Sequence, residues 1–187
     1  MTSRCCFITA IFALLPAVAG AAGPTGWGLT GNDPGAYVMS RDPAVTHAGK
    51  PSGCLASVRE TAGFGTMAQC VDPAAYAGKR VRFSGYVKAR EVRGWAGLWM
   101  RVDGPHQSRA FDNMRDRAVR GTKDWIRCDV VLDVAPEATN ICFGILLAGE
   151  GRVWLSGVKF EVVNQSVPTT GKGAYELRKP TNLGFER

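Results

Sequence analysis

The sequence predicts an all-β protein, an antiparallel β-sandwich, and three observations support this. Eight or nine segments are predicted to be strands, and the clearest of them alternate apolar and polar residues as a half-buried strand does. Loops rich in glycine and proline separate them, since the 187 residues include 23 glycines and 10 prolines. No segment has the periodicity of a long helix, and apolar residues make up 45% of the chain, which is enough to build a core.

The first 22 residues have the features of a Sec-type signal peptide. Arg4 supplies a short positive region, residues 5–18 are apolar, and small residues at 17–22 suit cleavage. The apolar run is too short to span a membrane as a helix. We therefore expect a periplasmic or secreted protein with a sandwich domain over residues 23–163. Residues 164–187 are predicted to be a linker and a strand-like tail.

The predicted strands follow one another with short connections. Residues 140–148 are almost continuously apolar, as expected of a strand buried on both faces. In the last strand, Trp154, Val158, Phe160 and Val162 are predicted to share one face. The predicted strands cover residues 36–40, 53–59, 65–71, 80–89, 96–103, 124–134, 140–148 and 153–163.

Four cysteines remain beyond the predicted signal peptide, and an even number in an exported chain favours disulfides. The chain has no CxxC motif and only two histidines, so a zinc site is not supported. Three pairings are possible from sequence. A hairpin would place Cys54 opposite Cys70, and Cys128 and Cys142 flank a later turn almost symmetrically. The predicted disulfides are therefore Cys54–Cys70 and Cys128–Cys142.

The stretch at residues 94–114 carries the candidate functional side chains. It predicts a strand, a polar loop and a return through the sequence FDNM. Alternation directs Leu98, Met100 and Val102 to the core, and the residues between them to the opposite face. Indoles stack on sugar rings, and Arg, Asp and Asn form hydrogen bonds with hydroxyl groups. The predicted ligand-binding residues are Trp95, Trp99, Arg101, Asp103, Asp112 and Asn113.

Plainer interpretations of the same residues remain open. In one of these interpretations, Trp99 packs under a loop and the charged residues form ion pairs on the surface. Asp112 and Asn113 form a turn by bonding the local backbone. The formal net charge of +7 comes from basic residues scattered along the chain, so nucleic acid is not a predicted partner.

Catalysis is not indicated by the sequence. There is no G-x-S-x-G motif, no Cys–His pair and no metal-ligand spacing, so no catalytic residue, metal or cofactor is predicted. A hydrolase or an enzyme accessory domain is an alternative, and the hydrolase needs Asp103 and Asp112 in one cleft. A second alternative is a structural or protein-interaction module that adds its tail strand to a neighbour.

Five motifs stand in order along the chain: GW at 26–27, RVRFSGYVKA at 80–89, GWAGLWMRVDG at 94–104, GTKDWIRCDVVLDVAPEATNICFGILLAGEG at 121–151 and VWLSGVKFEVV at 153–163. Together they resemble the galactose-binding-like jelly roll of bacterial carbohydrate-binding modules. This resemblance implies a jelly-roll topology and a carbohydrate or similar polar ligand. The FDNM at residues 111–114 is similar to a group of exported modules without an assigned ligand. Some members of that group are labelled transcriptional regulators, whereas this chain shows no helix-turn-helix pattern.

The chain departs from the jelly-roll pattern at two places. The N-x-x-F-E strand that usually opens such modules stands at the C-terminal end, as NLGFE at residues 182–186. It is expected either to fill the place of the missing first strand or to begin a second module. Ser156 and Gly157 stand where related modules often have two aspartates, so a structural Ca²⁺ is not indicated.

Overall fold

The computed structural model describes residues 23–106 and 108–173, and this part of the chain consists mainly of antiparallel strands. The predicted signal peptide and the NLGFE tail lie outside the described residues. Within them the only helices are two 3-10 turns, Pro34–Ala36 and Arg115–Arg117, and no helix is long and apolar enough to cross a membrane. The strands are β1 (Gly28–Gly31), β2 (Tyr37–His47), β3 (Lys50–Ser57), β4 (Phe64–Val71), β5 (Arg80–Asp103), β6 (Ser108–Asp112), β7 (Val119–Asp133), β8 (Asn140–Ala148), β9 (Arg152–Val163) and β10 (Lys172–Gly173).

Strand β5 organises the molecule because it belongs to both layers of the sandwich. Its first half, residues 80–90, pairs with β7 and β9, and its second half, residues 95–103, pairs with β8 and β6. One layer is therefore β2-β3-β9-β5-β7, and the other is β1-β4-β8-β5-β6 with β10 beside β6. All pairings are antiparallel. The predicted antiparallel β-sandwich of jelly-roll type is confirmed.

Strand β5 passes between the layers through irregular pairing in its middle. The register with β7 shifts three times between Val87 and Ala96, and Glu91 adopts a left-handed backbone with φ of 53°. Extra residues of this kind increase the local twist and allow a strand to bend without ending. The two strands predicted at 80–89 and 96–103 are consequently one continuous strand.

Aromatic rings join the two layers across the core. The Phe143 ring of β8 lies 4.9 Å from the Phe83 ring of β5 and 4.5 Å from the Phe160 ring of β9, measured between centroids. Leu98 and Met100 have no exposed surface, as the alternation predicts. Residues 141–147 of β8 are all buried, which confirms a strand covered on both faces.

The predicted disulfides Cys54–Cys70 and Cys128–Cys142 are wrong, because the hairpins on which they depend do not form. Strand β3 pairs with β2 and β9, whereas β4 pairs with β1 and β8, so the chain changes layer between them. Strands β7 and β8 also lie in different layers. Cys70 instead lies opposite Cys142 on neighbouring strands, with Cα atoms 4.1 Å apart, and these two cysteines form the disulfide.

Cys54 and Cys128 are buried free thiols. Burial raises the pKa of each thiol to about 11, so the reactive thiolate is disfavoured at neutral pH. The even number of cysteines therefore corresponds to one disulfide and two side chains that pack as small apolar groups.

A bulge in β9 changes which side chains face the core. Before it, Val153 and Leu155 fill the core and Trp154 lies on the outer face; after it, Phe160 packs against the core. The reversal occurs at Gly157, which has φ of 62° and lies within the register shift of β9 against β5. The prediction that Trp154 and Phe160 share a face is therefore wrong.

Candidate functional site

The second half of β5 directs four of the predicted site residues to one outer surface. Trp95, Trp99, Arg101 and Asp103 alternate with fully buried residues and point away from the core. Asn113, from the loop after β6, lies beside them. We call the surface formed by these five side chains the β5 face.

Trp99 is held in one orientation by a hydrogen bond. Its Nε1 donates to the Thr66 hydroxyl oxygen at 2.6 Å, and that hydroxyl donates to the carbonyl of Ile145 at 2.9 Å. Because β8 lies between β5 and β4, the indole must reach across β8, where Gly144 is the direct neighbour of Trp99 and carries no side chain. The indole is half-buried, so part of it is accessible to a ligand.

Arg101 and Asp103 form an ion pair at the other end of the β5 face. Arg101 Nε lies 2.8 Å from Asp103 Oδ1, and Nη2 lies 3.1 Å from Oδ2. The side chains are 46% and 23% exposed, respectively. The ion pair expected by the plainer interpretation therefore exists. It also holds the Arg101 guanidinium in one plane, with N–H donors and carboxylate acceptors still available to solvent.

The backbone of Asn113 and Met114 packs over Gly97, the residue midway between Trp95 and Trp99 on β5. A Cβ at Gly97 would stand 2.9 Å from Met114 Cβ and 3.0 Å from the Asn113 carbonyl oxygen. Asn113 Oδ1 accepts a hydrogen bond from the Arg115 backbone N–H at 3.2 Å, as the turn interpretation expects. Within the described residues, its side-chain amide donates to no other group.

Asp112 does not belong to the β5 face, contrary to the sequence prediction. It pairs in register with the core residue Met100, and its side chain is only 6% exposed. Its carboxylate accepts hydrogen bonds from the Arg117 guanidinium, the Thr170 hydroxyl and the Met114 backbone N–H. Asp112 thus anchors the loop after β6 to the segment that follows β9.

The pKa of Asp112 reflects this anchoring. Burial is the largest influence and raises the pKa, but the hydrogen bonds from Arg117, Thr170 and Met114, with the charge of Arg117, outweigh it. The pKa of the carboxyl group consequently lies below its usual value, and Asp112 is ionised at neutral pH.

Phe111 occupies the place on this surface that Asp112 was predicted to take. It lies opposite Arg101 in the β5–β6 pairing, and 41% of its surface is exposed. Sequence reasoning missed it because polar residues were assigned outward. Alternation along this strand was a partial signal, because an inward Ala110, which the structure shows to be buried, directs Phe111 outward and Asp112 inward.

The Cys70–Cys142 disulfide borders the same surface. Cys142 is the direct neighbour of Arg101 on β8, and Asn140 Nδ2 lies 3.1 Å from the Cys142 sulfur. The bond joins β4 to β8 next to the charged end of the β5 face, and so it limits relative movement of the strands that support Trp99 and Arg101.

Comparison with known proteins gives one curated relative. No family model matches the chain. The chain is 41% identical over 166 residues to a Bacillus subtilis (strain 168) protein named the uncharacterized HTH-type transcriptional regulator YbfP. The match covers 86% of this chain and 56% of that protein. The chain therefore spans little more than half the length of this relative.

Solved structures with a similar fold include several carbohydrate-binding modules. The CBM22-1 xylan-binding domain of Paenibacillus barcinonensis Xyn10C matches with a TM-score of 0.53 and 17% identity, over 76% of this chain and 90% of that domain. The CBM22-1–GH10 modules of Clostridium thermocellum Xyn10B, complexed with xylohexaose, match with a TM-score of 0.52 and 12% identity, over 74% and 26% of the two chains. A carbohydrate-binding module of the β-sandwich superfamily, described as having promiscuous specificity, matches with a TM-score of 0.55 and 13% identity. This match covers 77% of this chain and 59% of that chain. The chain has the fold of a carbohydrate-binding module.

On this fold the two carboxylates considered for hydrolysis do not meet. Asp103 lies on the outer surface with Arg101, whereas Asp112 faces inward beside Met100. A glycosidase needs both carboxyl groups on one scissile bond, so this pair does not form such a site. Residues 23–106 and 108–173 also contain no group of three or more His, Cys, Asp or Glu side chains placed to hold a metal ion.

Proposed function

We propose that this protein is an exported, non-catalytic module that binds a carbohydrate on the β5 face. The observation that carries the proposal is the row formed by Trp95, Asn113 and Trp99, which continues into the Arg101–Asp103 pair. Four of these side chains stand on strand β5, while Asn113 comes from the loop after β6 and Phe111 lies beside them on β6. A site on a strand is positioned more precisely than one on a mobile loop.

The chemistry of this row suits a saccharide. Sugar rings present apolar faces that stack on aromatic side chains, and hydroxyl groups at their edges that need donors and acceptors. Trp95 and Trp99 supply two aromatic surfaces, and Asn113, whose backbone packs over Gly97 between them in sequence, offers a side-chain amide nearby. The Arg101–Asp103 pair supplies both donors and acceptors in a fixed plane.

The dimensions favour a chain of sugars over a single one. Trp95 and Asp103 are eight residues apart on an extended strand, which corresponds to about 26 Å at a rise of about 3.3 Å per residue. The solved neighbours include a xylan-binding domain and modules complexed with xylohexaose. A neutral oligosaccharide is therefore the first ligand class to test.

Export is part of the proposal. The predicted signal peptide points to it, and the Cys70–Cys142 disulfide is the kind of bond that persists in oxidising compartments. We do not extend DNA binding to this module, because the helix-turn-helix in the relative's name requires two packed α-helices. The only helices in the described ranges are two 3-10 turns of three residues each.

A thermal-shift screen of the protein from Gly23 onward against xylohexaose and other neutral oligosaccharides tests the proposal. We expect at least one to raise the melting temperature. Trp99→Ala should weaken its binding roughly tenfold or more, because a stacking surface is lost. Trp99→Phe should have a smaller effect, since it keeps a ring and loses only the bond to Thr66.

Trp125→Ala is the matched control. Trp125 is also half-buried, but it lies on the other layer, where its ring contacts His47 at 5.3 Å. Circular dichroism of each variant establishes that it folds. Equal loss of binding in Trp99→Ala and Trp125→Ala, or a saccharide that binds folded Trp99→Ala as tightly as the wild type, would contradict the proposed site.

A further inference from the structure

A second candidate site lies where β5 bends between the layers. A cavity of about 480 Å³ opens there on the outer side of the layer opposite the β5 face, next to the turn between β8 and β9. Its lining is polar and carries three arginines and two glutamates. The lining residues are Ser57, Arg90, Glu91, Arg93, Glu150, Gly151 and Arg152.

Two of these arginines stand side by side without a carboxylate partner. Arg90 and Arg152 are direct neighbours in the pairing of β5 with β9, and both are exposed. Like charges directly opposite each other destabilise a sheet. No described carboxylate forms an ion pair with either guanidinium, although the charge of Arg152 helps to lower the pKa of the Asp42 carboxyl group. A bound anion would relieve the repulsion between the two arginines.

The two guanidinium groups are also held in place. Their central carbons lie 5.6 Å and 5.9 Å from the centre of the Trp154 ring. Trp154 is buried, and its Nε1 donates to Asp42 Oδ2 at 2.8 Å. Stacking on a fixed indole restricts both arginine side chains before any ligand arrives, which lowers the entropic cost of binding.

The nearby acidic groups neutralise this pair only in part, because their oxygens are bonded to other groups. Glu150 forms its ion pair with Arg93, at 3.3 Å. Asp42, beneath the cavity, uses Oδ2 for Trp154 and Oδ1 for the backbone N–H groups of Ala44 and Val45. Three arginines and two glutamates leave the lining with one net positive charge, which suits a monoanion better than a dianion.

We propose that this cavity binds the carboxylate of an acidic saccharide, a uronic acid. Arg90 and Arg152 grip the two carboxylate oxygens, since guanidinium groups match that planar anion. Glu91 lines the same cavity and offers an acceptor for a sugar hydroxyl. The carboxylate part of the proposal rests on the arginine pair, and the saccharide part rests on the proposed function.

Titration with glucuronate and glucose, followed by ¹H–¹⁵N NMR, tests the proposal, because the two probes differ in the carboxylate. Glucuronate should shift the Gly151 amide and the side-chain N–H signals of Arg90 and Arg152, and glucose should not. Arg90→Gln with Arg152→Gln should weaken glucuronate binding about tenfold or more. Arg127→Gln, the same change on an exposed arginine of the same layer, should leave it unchanged.

Three results would overturn the proposal: equal shifts with glucose, unchanged glucuronate affinity in a folded double variant, or acetate binding as tightly as glucuronate. The last would mean that the sugar ring contributes nothing. The two proposals can be contradicted independently, because Trp99→Ala should leave the glucuronate-induced shifts of the Gly151 amide unchanged. The double arginine variant should in turn retain binding of a neutral oligosaccharide.

Discussion

At the scale of single residues, Gly97 determines whether the loop carrying Asn113 can approach β5. Its backbone has no unusual conformation, so alanine would be acceptable there if space allowed. The space is taken by Met114 Cβ and the Asn113 carbonyl oxygen, both within about 3 Å of the missing methyl group. The close approach of the Asn113 backbone to β5 therefore depends on a glycine with no side chain to contact a ligand.

Gly97→Ala should displace this loop. We expect the free energy of unfolding to fall by about 1–3 kcal/mol because of the clash, and saccharide affinity to fall with it. Chemical denaturation and calorimetric titration measure the two effects. Gly35→Ala is the control, since nothing lies within 4 Å of its added methyl group. Stability and affinity equal to those of the wild type would show that the loop does not depend on Gly97.

Asp112→Asn tests the buried anchor of the same loop. The variant keeps the shape of the side chain but loses the charge that Arg117 and Thr170 bind, so the free energy of unfolding should fall by about 2 kcal/mol at pH 7. Asp116→Asn is the control, because Asp116 contacts the same arginine but is 80% exposed.

The effect of Asp112→Asn should depend on pH. The pKa of Asp112 is lowered in the folded protein, so its contribution to stability is present above the usual carboxyl pKa and is lost as pH falls through the folded value. The difference in stability between wild type and variant should therefore be constant from pH 7 to about 5 and shrink below about pH 4. A constant difference down to pH 2 would contradict the ionised anchor.

At the scale of strands, the Cys70–Cys142 bond joins β4 and β8 under the candidate site. It closes a loop with a sequence separation of 72 residues. In the chain-entropy model such a bond contributes about 4 kcal/mol. Reduction should lower the guanidinium midpoint accordingly and should weaken saccharide binding, because β4 and β8 support Trp99.

Peptide mapping under non-reducing conditions checks this bond directly. The expected product is one linked peptide containing Cys70 and Cys142. Thiol titration of the protein from Gly23 onward should find no reactive thiol in the native state and two after denaturation, from Cys54 and Cys128. A linked peptide that contains either of these two buried cysteines would contradict the assignment.

Strand faces could be predicted from sequence where alternation is uninterrupted, and strand partners could not. The period of two along β5 is local, so Trp99, Arg101 and Asp103 were placed correctly on one surface. The partner of a strand depends on residues far along the chain. Cys70 and Cys142 meet because the chain moves from one layer to the other between β3 and β4. No local sequence pattern predicts this change of layer.

The inward position of Asp112 has a similar explanation. A carboxylate is expected outside unless partners compensate its burial. Its partners Arg117 and Thr170 come from a turn and from the segment beyond β9, and the second lies 58 residues away. The bulge at Gly157 likewise reversed the faces of β9, because a single extra residue shifts every later side chain to the other side.

At the scale of the whole molecule, one strand carries both proposed sites. The second half of β5 presents the tryptophan row on one layer, and the bend at Arg90 to Arg93 lines the arginine cavity on the other. The two surfaces lie on opposite layers of the sandwich and are connected through β5.

The measurement that tests the central claim most directly is the NMR contact between a bound saccharide and the tryptophans. The oligosaccharide that binds most tightly in the screen is added to the protein from Gly23 onward, and nuclear Overhauser effects are recorded from sugar ring protons. Our account predicts contacts to the Trp99 and Trp95 indoles and to the Asn113 side-chain amide. Contacts confined to the other layer, at Trp125 or Trp154, would show that the β5 face is not the binding site.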